Sequence, residues 1–392
     1  MAALRMGMVG GGEGAFIGEI HRAAARLDGG IELVCGAFSS DPRRSRHSGA
    51  ALGLSDERIY STWQQMLSAE AALPAASRMH FVSIVTPNDL HFPITMRAAE
   101  LGFHVLSEKP ASRTVAEVLE IAQAIGRAKR CYALTHTYLG YPMVAEARAR
   151  VLRGDIGEVR FVTVQYAQGW LSAPLESQGS RQAGWRTDPM RAGVGGSVAD
   201  IGVHAFILAE YVAGVRVKQL CADLGVAVPN RVLDDHAAAF LRFENGATGT
   251  LGVSQVSAGE ENDLTVGVYG ARGGVVWTHR NANSLRILDP GGASRLLRAG
   301  NNAVDLEPAT RAMCRTPSGH PEGYIEAFAN LYRGFANDVR AHENGMSASP
   351  CSPAPIDAAV RGMRFIEAMV KSSQSGQRWA AIEDRWDSKE AS

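Results

Sequence analysis

The sequence predicts an α/β protein with a doubly wound parallel sheet, followed by an α+β region with a large, mainly antiparallel sheet. Short apolar runs alternate with helical patterns from residue 4 to about residue 134, which is typical of repeated βαβ units. Between residue 215 and about residue 297 strand patterns follow one another, and Asn245-Gly246 between two of them is a strong hairpin signal. Because 392 residues are many for one core, we expect two domains, residues 1–136 and residues 137–392.

Charge and cysteine content exclude several classes of protein. Lysine plus arginine, at 40, equals aspartate plus glutamate, at 40, so no net charge recruits nucleic acid or an anionic membrane. The five cysteines have no CxxC spacing, and an odd number suits neither a disulfide framework nor a zinc site. The N-terminus enters a strand within a few residues, and no apolar stretch is long enough to span a bilayer. We expect a cytoplasmic protein without a nucleic-acid or membrane partner.

A glycine-rich turn follows the first predicted strand and opens the first predicted helix. Gly10 and Gly12 fit the first two glycines of the GxGxxG pattern, and Ala15 takes the third position. In such a turn the backbone approaches a diphosphate closely, and the helix N-terminus supplies N–H donors and a favourable dipole. Glycine-rich turns also occur only to reverse the chain tightly. A second strand pattern at residues 31–38 completes a βαβ unit and therefore favours a dinucleotide site.

The second predicted strand ends where a dinucleotide-binding domain contacts the adenosine ribose. An NAD enzyme usually has an acid there, whereas this chain has Ser39 and Ser40, with Asp41 just beyond and Arg44 close behind. Asp41 is able to reach the ribose, but serines and arginines without an acid would accept a 2′-phosphate. The sequence leaves the choice between NAD and NADP open.

Polar groups and prolines stand at two further strand ends. One strand ends in Thr86-Pro87-Asn88, with His91 soon after, and the next ends in Glu108-Lys109-Pro110. Ligands bind at the carboxyl ends of parallel strands, so Lys109 is a candidate catalytic cation. Neighbours on a strand point to opposite faces, so we do not expect Glu108 to neutralise it. An isolated Glu-Lys-Pro is more often a solvated pair, but the glycine turn in the same domain favours a site.

A helical pattern from residue 195 to about residue 212 carries Asp200 and His204, four residues apart. At this spacing both side chains share a helix face and can converge on one ligand. Near the helix start the dipole favours an ionised Asp200 and a neutral imidazole, which keeps His204 available as a base. In isolation such a pair is more often a helix-stabilising acid and a packed histidine. No HExxH and no recognisable third ligand accompanies the pair, so we predict no metal.

A long polar stretch, residues 170–194, precedes that helix and contains Trp185 and Arg186. Loops of this length inside a compact enzyme are usually functional. The alternative is a surface loop without a functional role, in which the tryptophan only packs the loop against the rest of the protein. The strand pattern before the loop, residues 158–169, is largely apolar on both faces, so the sequence does not decide which face is buried.

The chain resembles the glucose-fructose oxidoreductase and inositol dehydrogenase (Gfo/Idh/MocA) family. The resemblance rests on the glycine turn, Thr86-Pro87-Asn88 with His91, Glu108-Lys109-Pro110 and Asp200-Ile201-Gly202-Val203-His204, which occur in the family's order. It implies an N-terminal Rossmann domain, an α/β domain that binds a polyol or sugar, an NAD or NADP cofactor, and a homodimer or homotetramer. The alanine at position 15 and the serines after the second strand depart from the family's commonest pattern.

The resemblance also implies roles for individual residues. The implied catalytic residues are Lys109, Asp200 and His204. The residues implied to contact the cofactor are Gly10, Gly12, Ala15, Phe16, Ile17, Ser39, Ser40, Asp41, Arg44, Thr86, Pro87, Asn88, His91, Glu108, Lys109, Trp185 and Arg186.

These features favour an NAD(P)-dependent dehydrogenase that acts on a secondary alcohol or ketone of a sugar, a sugar derivative or a cyclitol. The glycine turn and the loop with Trp185 look most like the branch that oxidises glycosides and anhydrosugars such as levoglucosan. A sugar hydrolase or isomerase that retains its cofactor would have the same fold and is one alternative. A dinucleotide-binding regulator without catalysis is another, although a regulator has no need for Lys109, Asp200 and His204 together.

Overall fold

The structure is a computed structural model that describes residues 2–346 and 354–383, and it divides into two units. The first unit contains the described residues up to Thr137 together with those of Tyr324–Val360. The second contains Tyr138–Gly323 and the described residues from Arg361 onward. Tyr324–Val360, which the sequence analysis assigns to the second domain, therefore groups with the first unit.

The strands are β1 (Leu4–Gly10), β2 (Ile31–Ala37), β3 (Phe81–Val85), β4 (His104–Ser107), β5 (Tyr132–Leu134), β6 (Val159–Ala167), β7 (Val217–Gly225), β8 (His236–Phe243), β9 (Thr248–Ser254), β10 (Asp263–Gly270), β11 (Gly273–Thr278), β12 (Ser284–Leu288), β13 (Ser294–Arg298) and β14 (Ala380–Ala381). The helices are α1 (Phe16–Leu27), α2 (Pro42–Ala51), α3 (Trp63–Ala72), α4 (His91–Glu100), α5 (Val115–Ala128), α6 (Pro142–Arg153), α7 (Arg181–Arg186), α8 (Pro189–Ala192), α9 (Val203–Ala213), α10 (Pro308–Met313), α11 (Tyr324–Glu343) and α12 (Ile356–Gln374). No helix within the described ranges is long and apolar enough to cross a membrane.

The first unit is built on a five-stranded parallel sheet in the order β2-β1-β3-β4-β5. Successive strands are added first on one side of β1 and then on the other, which is the doubly wound arrangement predicted from the sequence. The strand order reverses between β1 and β3, so the glycine turn and Thr86 follow the two strands at the switch point. Ligands bind at this place in such sheets.

Helix α11 completes the core of the first unit, although it comes late in the chain. It packs against α1, and its buried Phe328 and Phe335 join a core that also contains Met8, Phe81 and Leu106. The rings of Phe81 and Phe335 lie 5.2 Å apart at an edge-to-face angle of 73°. The strand pattern of the first 136 residues does not indicate that this distant helix completes their core.

The second unit is built on a nine-stranded sheet in the order β13-β12-β11-β10-β6-β9-β8-β7-β14. Only β6 and β9 pair in parallel, so the sheet is mainly antiparallel, as predicted. Val162, Val164 and Tyr166 of β6 are buried, whereas Phe161 on the other face is exposed. Helices α6 and α9 pack on this sheet, and α9 is buried almost throughout.

Two local predictions need correction. The sequence pattern of residues 58–60 predicts a small strand, but the chain forms a 3₁₀ turn at Asp56–Arg58 and a single bridge between Gly36 and Ile59. The polar stretch at residues 170–194 is not a plain loop, because it contains α7 and α8. Ser180 and Asp188 cap the first turns of these two helices, a signal that the sequence analysis overlooked.

Candidate functional site

The glycine turn after β1 has a conformation that only glycine adopts easily. Gly10 and Gly11 have φ angles of +83° and +69°. A Cβ atom at Gly10 would lie 2.8 Å from the carbonyl oxygen of Val85, and a Cβ at Gly18 would lie 2.4 Å from the Cα of Gly11. Gly18, which the sequence analysis did not single out, therefore lets α1 approach the turn closely. Ala15, predicted at the third glycine position, is the residue directly before α1.

The start of α1 fits a dinucleotide diphosphate. Ala15 at the N-cap has an extended backbone and no side chain that caps the helix, so first-turn N–H groups remain for a ligand. Gly14 has a φ angle of +76°, and a Cβ there would meet no atom within 4 Å. Phe16 is 67% exposed beside it. These residues, with Gly10, Gly12 and Ile17, are therefore those that would hold the cofactor's diphosphate.

The predicted ribose-binding residues lie at the start of α2. One Asp41 carboxylate oxygen, Oδ1, accepts the backbone N–H groups of Arg43 at 2.8 Å and Arg44 at 3.3 Å and so caps the helix. Ser39 Oγ accepts the N–H of Asp41 at 3.1 Å, and the Arg44 guanidinium donates to the carbonyl of Glu13 at 3.3 Å. The start of α2 thus offers a fixed carboxylate, that of Asp41, and the guanidinium of Arg44 close to the glycine turn.

His91 joins the two strand ends that the sequence predicts as nicotinamide contacts. Its ring is buried, with Nδ1 2.7 Å from the carbonyl of Pro110 and Nε2 2.9 Å from that of Thr86. Burial lowers the pKa of His91, although the two carbonyls act in the opposite direction. Asn88, in the 3₁₀ turn after Pro87, is also buried. His91 therefore holds the loop after β3 against the loop after β4.

Glu108 points into the first unit, where it accepts several hydrogen bonds. Its Oε1 accepts from Nε2 of His21 at 2.9 Å and from the hydroxyl of Thr135, and its Oε2 accepts the backbone N–H of Lys109 at 3.3 Å. Burial alone would raise the pKa of Glu108, but His21, the charge of Lys109 and Thr135 together lower it. The pKa of the buried His136 falls to about 3 through burial and the Lys109 charge. The peptide bond between Lys109 and Pro110 is cis.

Asp200 and His204 lie in the second unit, at the start of the helix formed by the π-helical residues Val198–Gly202 and α9. One Asp200 oxygen, Oδ2, accepts from Nε2 of Gln255 at 2.8 Å and from Nε of Arg186 at 3.2 Å. The His204 ring is largely buried, with its centroid 5.2 Å from that of Tyr138 in an edge-to-face contact. A π-helical segment at such a place is often associated with function.

The helix start is held by an acid that sequence analysis missed. Asp234, in the loop between β7 and β8, accepts the N–H of Gly196 at 2.7 Å and that of Val198 at 2.9 Å. It also accepts the Ser197 hydroxyl at 2.6 Å. Burial raises the pKa of Asp234, opposed by these donors. Asp234, and not Asp200, therefore caps the helix. The Asp200 carboxylate instead accepts hydrogen bonds from the side chains around it.

Amide and aromatic side chains surround Asp200 and His204 within the second unit. Gln168 Nε2 donates to Oδ1 of Asn262 at 2.7 Å, and Trp170 Nε1 donates to Oε1 of Gln168 at 3.1 Å. Asn262 in turn donates to the hydroxyl of Tyr138 at 2.9 Å and accepts from that of Tyr166 at 2.6 Å. Tyr138 lies in a 3₁₀ turn, Gln168 follows β6 and Asn262 precedes β10. Because these three segments are far apart in sequence, no local spacing could have indicated that they meet.

Trp185 and Arg186 both belong to α7. The guanidinium carbon of Arg186 lies 4.2 Å from the ring centroid of Trp185 and 5.7 Å from that of Trp170. Its Nη1 donates to Gln182 Oε1 at 2.6 Å. Arg186 is thus held by aromatic and hydrogen-bonding contacts with its Nε directed at Asp200.

One cluster in the described part of the chain has a metal-like arrangement, namely His104, His342 and Glu343. Nδ1 of His104 accepts the N–H of Cys131 at 2.9 Å, so Nε2 carries the proton that it donates to Glu343 at 3.0 Å. A metal would need a lone pair on that Nε2. We therefore interpret the cluster as hydrogen-bonded and not as a metal site.

Comparisons with known proteins agree with this arrangement. The NAD-binding Rossmann fold of the oxidoreductase family matches residues 4–136, and the GFO/IDH/MocA C-terminal domain matches residues 144–276. An uncharacterized oxidoreductase of Bacillus subtilis, YfiI, is 32% identical over 381 residues, 96% of either chain. A levoglucosan dehydrogenase of Pseudarthrobacter phenanthrenivorans is 25% identical over 95% of this chain and 98% of its own length.

A solved structure is similar over almost the whole chain. The inositol dehydrogenase homolog of Azotobacter vinelandii, complexed with NADH and myo-inositol, is 34% identical, with a TM-score of 0.89 over 97% of this chain and 98% of that one. The predictions of family, fold class and cofactor are thereby confirmed. The chain belongs to the Gfo/Idh/MocA family and is an NAD(P)-dependent oxidoreductase.

Proposed function

We propose that the chain is a dehydrogenase that interconverts a secondary alcohol and a ketone on a sugar, a sugar derivative or a cyclitol. The observation that carries this proposal is the set of amide, carboxylate and phenol groups that meet around Asp200 in the second unit. A polyol needs many hydrogen bonds to fix one carbon among several similar ones. The inositol and levoglucosan dehydrogenases among the relatives act on molecules of this class.

In this proposal, two residues of the second unit act on the substrate. His204 takes the proton of the reacting hydroxyl in the oxidative direction and returns it in the reductive one. Asp200, with Oδ2 held by Gln255 and Arg186, accepts a hydrogen bond from a substrate hydroxyl and orients the ring. The contact with Tyr138 fixes the plane of the His204 ring, which keeps its nitrogen atoms in a constant direction.

Lys109 supplies positive charge in the same proposal. As oxidation removes the hydroxyl proton, negative charge develops on the substrate oxygen, and an ammonium group stabilises it. The glycine turn, the start of α1 and the turn at Ser39, Ser40 and Asp41 would hold the dinucleotide. When bound, its nicotinamide would supply the hydride chemistry that balances the proton transfer by His204.

The test is the absorbance change of the nicotinamide with NAD and NADP in separate assays, against inositols, aldoses, anhydrosugars and glycosides. We expect turnover with at least one polyol, and His204→Ala should lower kcat by about 10²- to 10⁴-fold. His320→Ala, at an exposed histidine, is the matched control and should keep full activity. Dinucleotide binding without turnover of any substrate would favour the cofactor-retaining or regulatory alternative.

We also propose that the outer face of the large sheet pairs with a second copy of the chain. On β8 the residues alternate between buried and exposed, and Phe240 on the outer face is 63% exposed. Phe161 on β6 is 39% exposed on the same face, and the small residues Ala238 and Gly252 lie next to Phe240 there. A cavity of about 480 Å³ is lined in part by Gln165, Asp223, Ala238 and Gly252 of this face. Exposed apolar residues on a sheet face are typical of an interface.

The mass of the assembly in solution tests this interface. Phe240→Asp should shift the homodimer or homotetramer towards monomer because it places a charge in the apolar face. Val304→Asp, at a residue that is 82% exposed outside the sheet, should leave the mass unchanged. A monomeric wild type, or an unchanged mass for Phe240→Asp, would contradict the proposal.

The proposed compartment is the cytoplasm. Cys35, Cys131, Cys221 and Cys314 are free thiols in the described residues, and two of them are buried. Such scattered, unpaired cysteines suit a reducing compartment. Fractionation of the native cells, followed by detection of the protein in the soluble extract, tests this assignment.

A further inference from the structure

A buried chain of hydrogen bonds connects α1 to the strand end that carries Lys109. His21, in the second turn of α1, has no exposed surface. Its Nε2 lies 2.9 Å from Oε1 of Glu108, and its Nδ1 lies 2.8 Å from the hydroxyl of Tyr332 on α11. That hydroxyl lies 2.9 Å from Oγ of Ser83 on β3. None of His21, Tyr332 and Ser83 has a part in the chemistry proposed above.

The donors and acceptors of this chain follow one direction. The ionised Glu108 only accepts, so Nε2 of His21 carries a proton and donates. In the neutral tautomer with the proton on Nε2, Nδ1 accepts from the hydroxyl of Tyr332, whose oxygen accepts from Ser83. The side-chain hydroxyls of Ser83 and Tyr332 and both ring nitrogens of His21 therefore each have a hydrogen-bond partner. Phe328 packs against the imidazole with ring centroids 4.9 Å apart, which holds the ring in this orientation.

Glu108 transmits this fixation to Lys109. Its backbone N–H donates to the carbonyl of Ile84 at 2.9 Å, so β3 holds the main chain while His21 and Thr135 hold the carboxylate. Its second carboxylate oxygen accepts the backbone N–H of Lys109 at 3.3 Å. Without the His21 donor, a buried carboxylate would have to turn or take up a proton. Either change would release the Lys109 backbone.

We propose that His21 is a positioning residue for Lys109, and that it ties the lysine-bearing strand end to the helix whose N-terminus receives the cofactor diphosphate. The inference rests on the proposed function, since it assigns a task to Lys109. Helix α1 would then act at two places in the site. Its first turn would bind the cofactor diphosphate, and its second turn would support Lys109 through His21 and Glu108.

Two substitutions separate positioning from simple packing. His21→Phe keeps a ring of similar size but removes both nitrogen atoms, whereas His21→Gln keeps an N–H donor near the place of Nε2. We expect kcat to fall about 100-fold in His21→Phe, the loss associated with a displacement of about 1 Å in a reacting group. His21→Gln should recover at least about tenfold of this loss in kcat. The Kd of the reduced dinucleotide, measured by fluorescence, should stay within about threefold of the wild-type value in both variants.

Amide hydrogen exchange gives a readout that does not depend on activity. We expect the amides of Glu108, Lys109, Ala111 and Ser112 to exchange about tenfold faster in His21→Phe than in the wild type, while those of β3 keep their rate. His21→Gln should restore slow exchange. Tyr332→Phe, which removes only the hydroxyl that His21 contacts, should give a smaller effect in the same direction and replaces His21→Phe if that variant does not fold.

The pH profile of kcat gives a third readout. Loss of the His21 donor should raise the pKa of Glu108, so the acid limb should move to higher pH in His21→Phe. The other titratable groups that face Glu108 are Lys109, His91, His136 and Tyr332. Because all four stay in place in both His21 variants, a shift seen in His21→Phe and not in His21→Gln belongs to the lost donor.

The outcomes for this inference and for the proposed function are distinct. Unchanged kcat and unchanged exchange in His21→Phe would overturn the positioning role, as would a His21→Gln variant equally defective in both. If the wild type turns over no polyol, the proposed function fails, and the exchange of residues 108–112 alone decides whether His21 fixes Lys109.

Discussion

The strand-end site of the first unit and the helix-start site of the second hold their polar groups differently. Glu108 is held by His21, whose side chain is 0% exposed and lies on a helix of the central fold. Asp200 is held by the buried Gln255, just after the end of β9, and by Arg186, whose side chain is 25% exposed and lies on a six-residue helix within a long connection. Regular buried elements thus fix the first site, and a connection and strand ends build the second.

This difference indicates a division of labour. A group fixed by packed strands and helices keeps one position, which suits a cation that must stabilise charge at one atom. A group surrounded by amides on connections changes its contacts when a few surface residues change, which suits recognition of one polyol among many. We therefore expect substitutions in the first site to lower kcat. In the second site, apart from the proposed base His204, we expect substitutions to raise KM.

Among the substitutions that test this comparison of the two sites, the largest effect is expected at Lys109. Lys109→Ala should lower kcat by about 10²- to 10³-fold, because it removes the charge that stabilises the developing oxyanion. The Kd of NADH, measured by fluorescence quenching, should change far less. An equal loss of turnover and of cofactor affinity would remove the catalytic assignment of Lys109 and would end the contrast between the two sites.

The second effect concerns the close approach of α1 to the glycine turn. Gly18→Ala places a Cβ 2.4 Å from Gly11, and such overpacking typically destabilises a protein by about 1–3 kcal/mol. Dinucleotide affinity should fall as well, since the turn must move. Gly126→Ala in α5 is the matched control, because its Cβ would meet no atom within 4 Å, and it should stabilise the protein by about 0.5–1 kcal/mol. Thermal unfolding with and without NADH measures both variants, and equal melting temperatures for them would contradict this role of Gly18.

The two sites also differ in how far the sequence predicts them. Strand ends next to Gly10, Thr86 and Lys109 are visible because each motif is continuous in the chain, and the sheet order brings them to one edge. The family and the fold class follow from the same motifs. The place of α11 in the first unit could not be predicted, because an amphipathic helix does not identify the apolar face that it covers.

Contacts between distant segments were invisible in both sites. His21 lies 87 residues from Glu108 and 311 from Tyr332, and only the packed sheet and helices bring the three together. Gln255 lies 55 residues from Asp200. The role of Gly18 was missed for a different reason, since the GxGxxG spacing directs attention to position 15 and not to the actual point of close approach.

The third effect tests the second site. Gln255→Met keeps the length of the side chain but removes the donor to Asp200, and we expect the KM for the substrate to rise about tenfold, as for the loss of one hydrogen bond to a charged group. The kcat and the Kd of the dinucleotide should change little. Gln374→Met, at an exposed glutamine near the end of α12, is the control. A lower kcat with an unchanged KM would place Gln255 among the residues that position the reacting groups.

The smallest effect concerns the stability of the first unit. Burial lowers the pKa of His104 to about 4, so between pH 6.5 and pH 4 the unfolded chain binds a proton that the folded chain does not. The free energy of unfolding should therefore fall with decreasing pH in this window, by up to about 1.4 kcal/mol per pH unit for this one histidine. His91 and His136 act with the same sign.

Urea unfolding at several pH values between 4 and 7 measures this slope. His104→Gln should reduce it, and His320→Gln, at an exposed histidine, should not. A slope that is the same in the wild type and in His104→Gln would show that His104 does not titrate differently on unfolding.

Hydride transfer itself is tested most directly with a polyol that carries deuterium on its ring carbons. The substrate identified by the absorbance assay is incubated in this form with the oxidised dinucleotide, and the mass of the reduced dinucleotide is measured. We expect a reduced dinucleotide one mass unit heavier with the wild type, and almost none with Lys109→Ala or His204→Ala. Consumption of the polyol without a deuterated dinucleotide in solution would contradict a net dehydrogenase and favour a cofactor that stays bound.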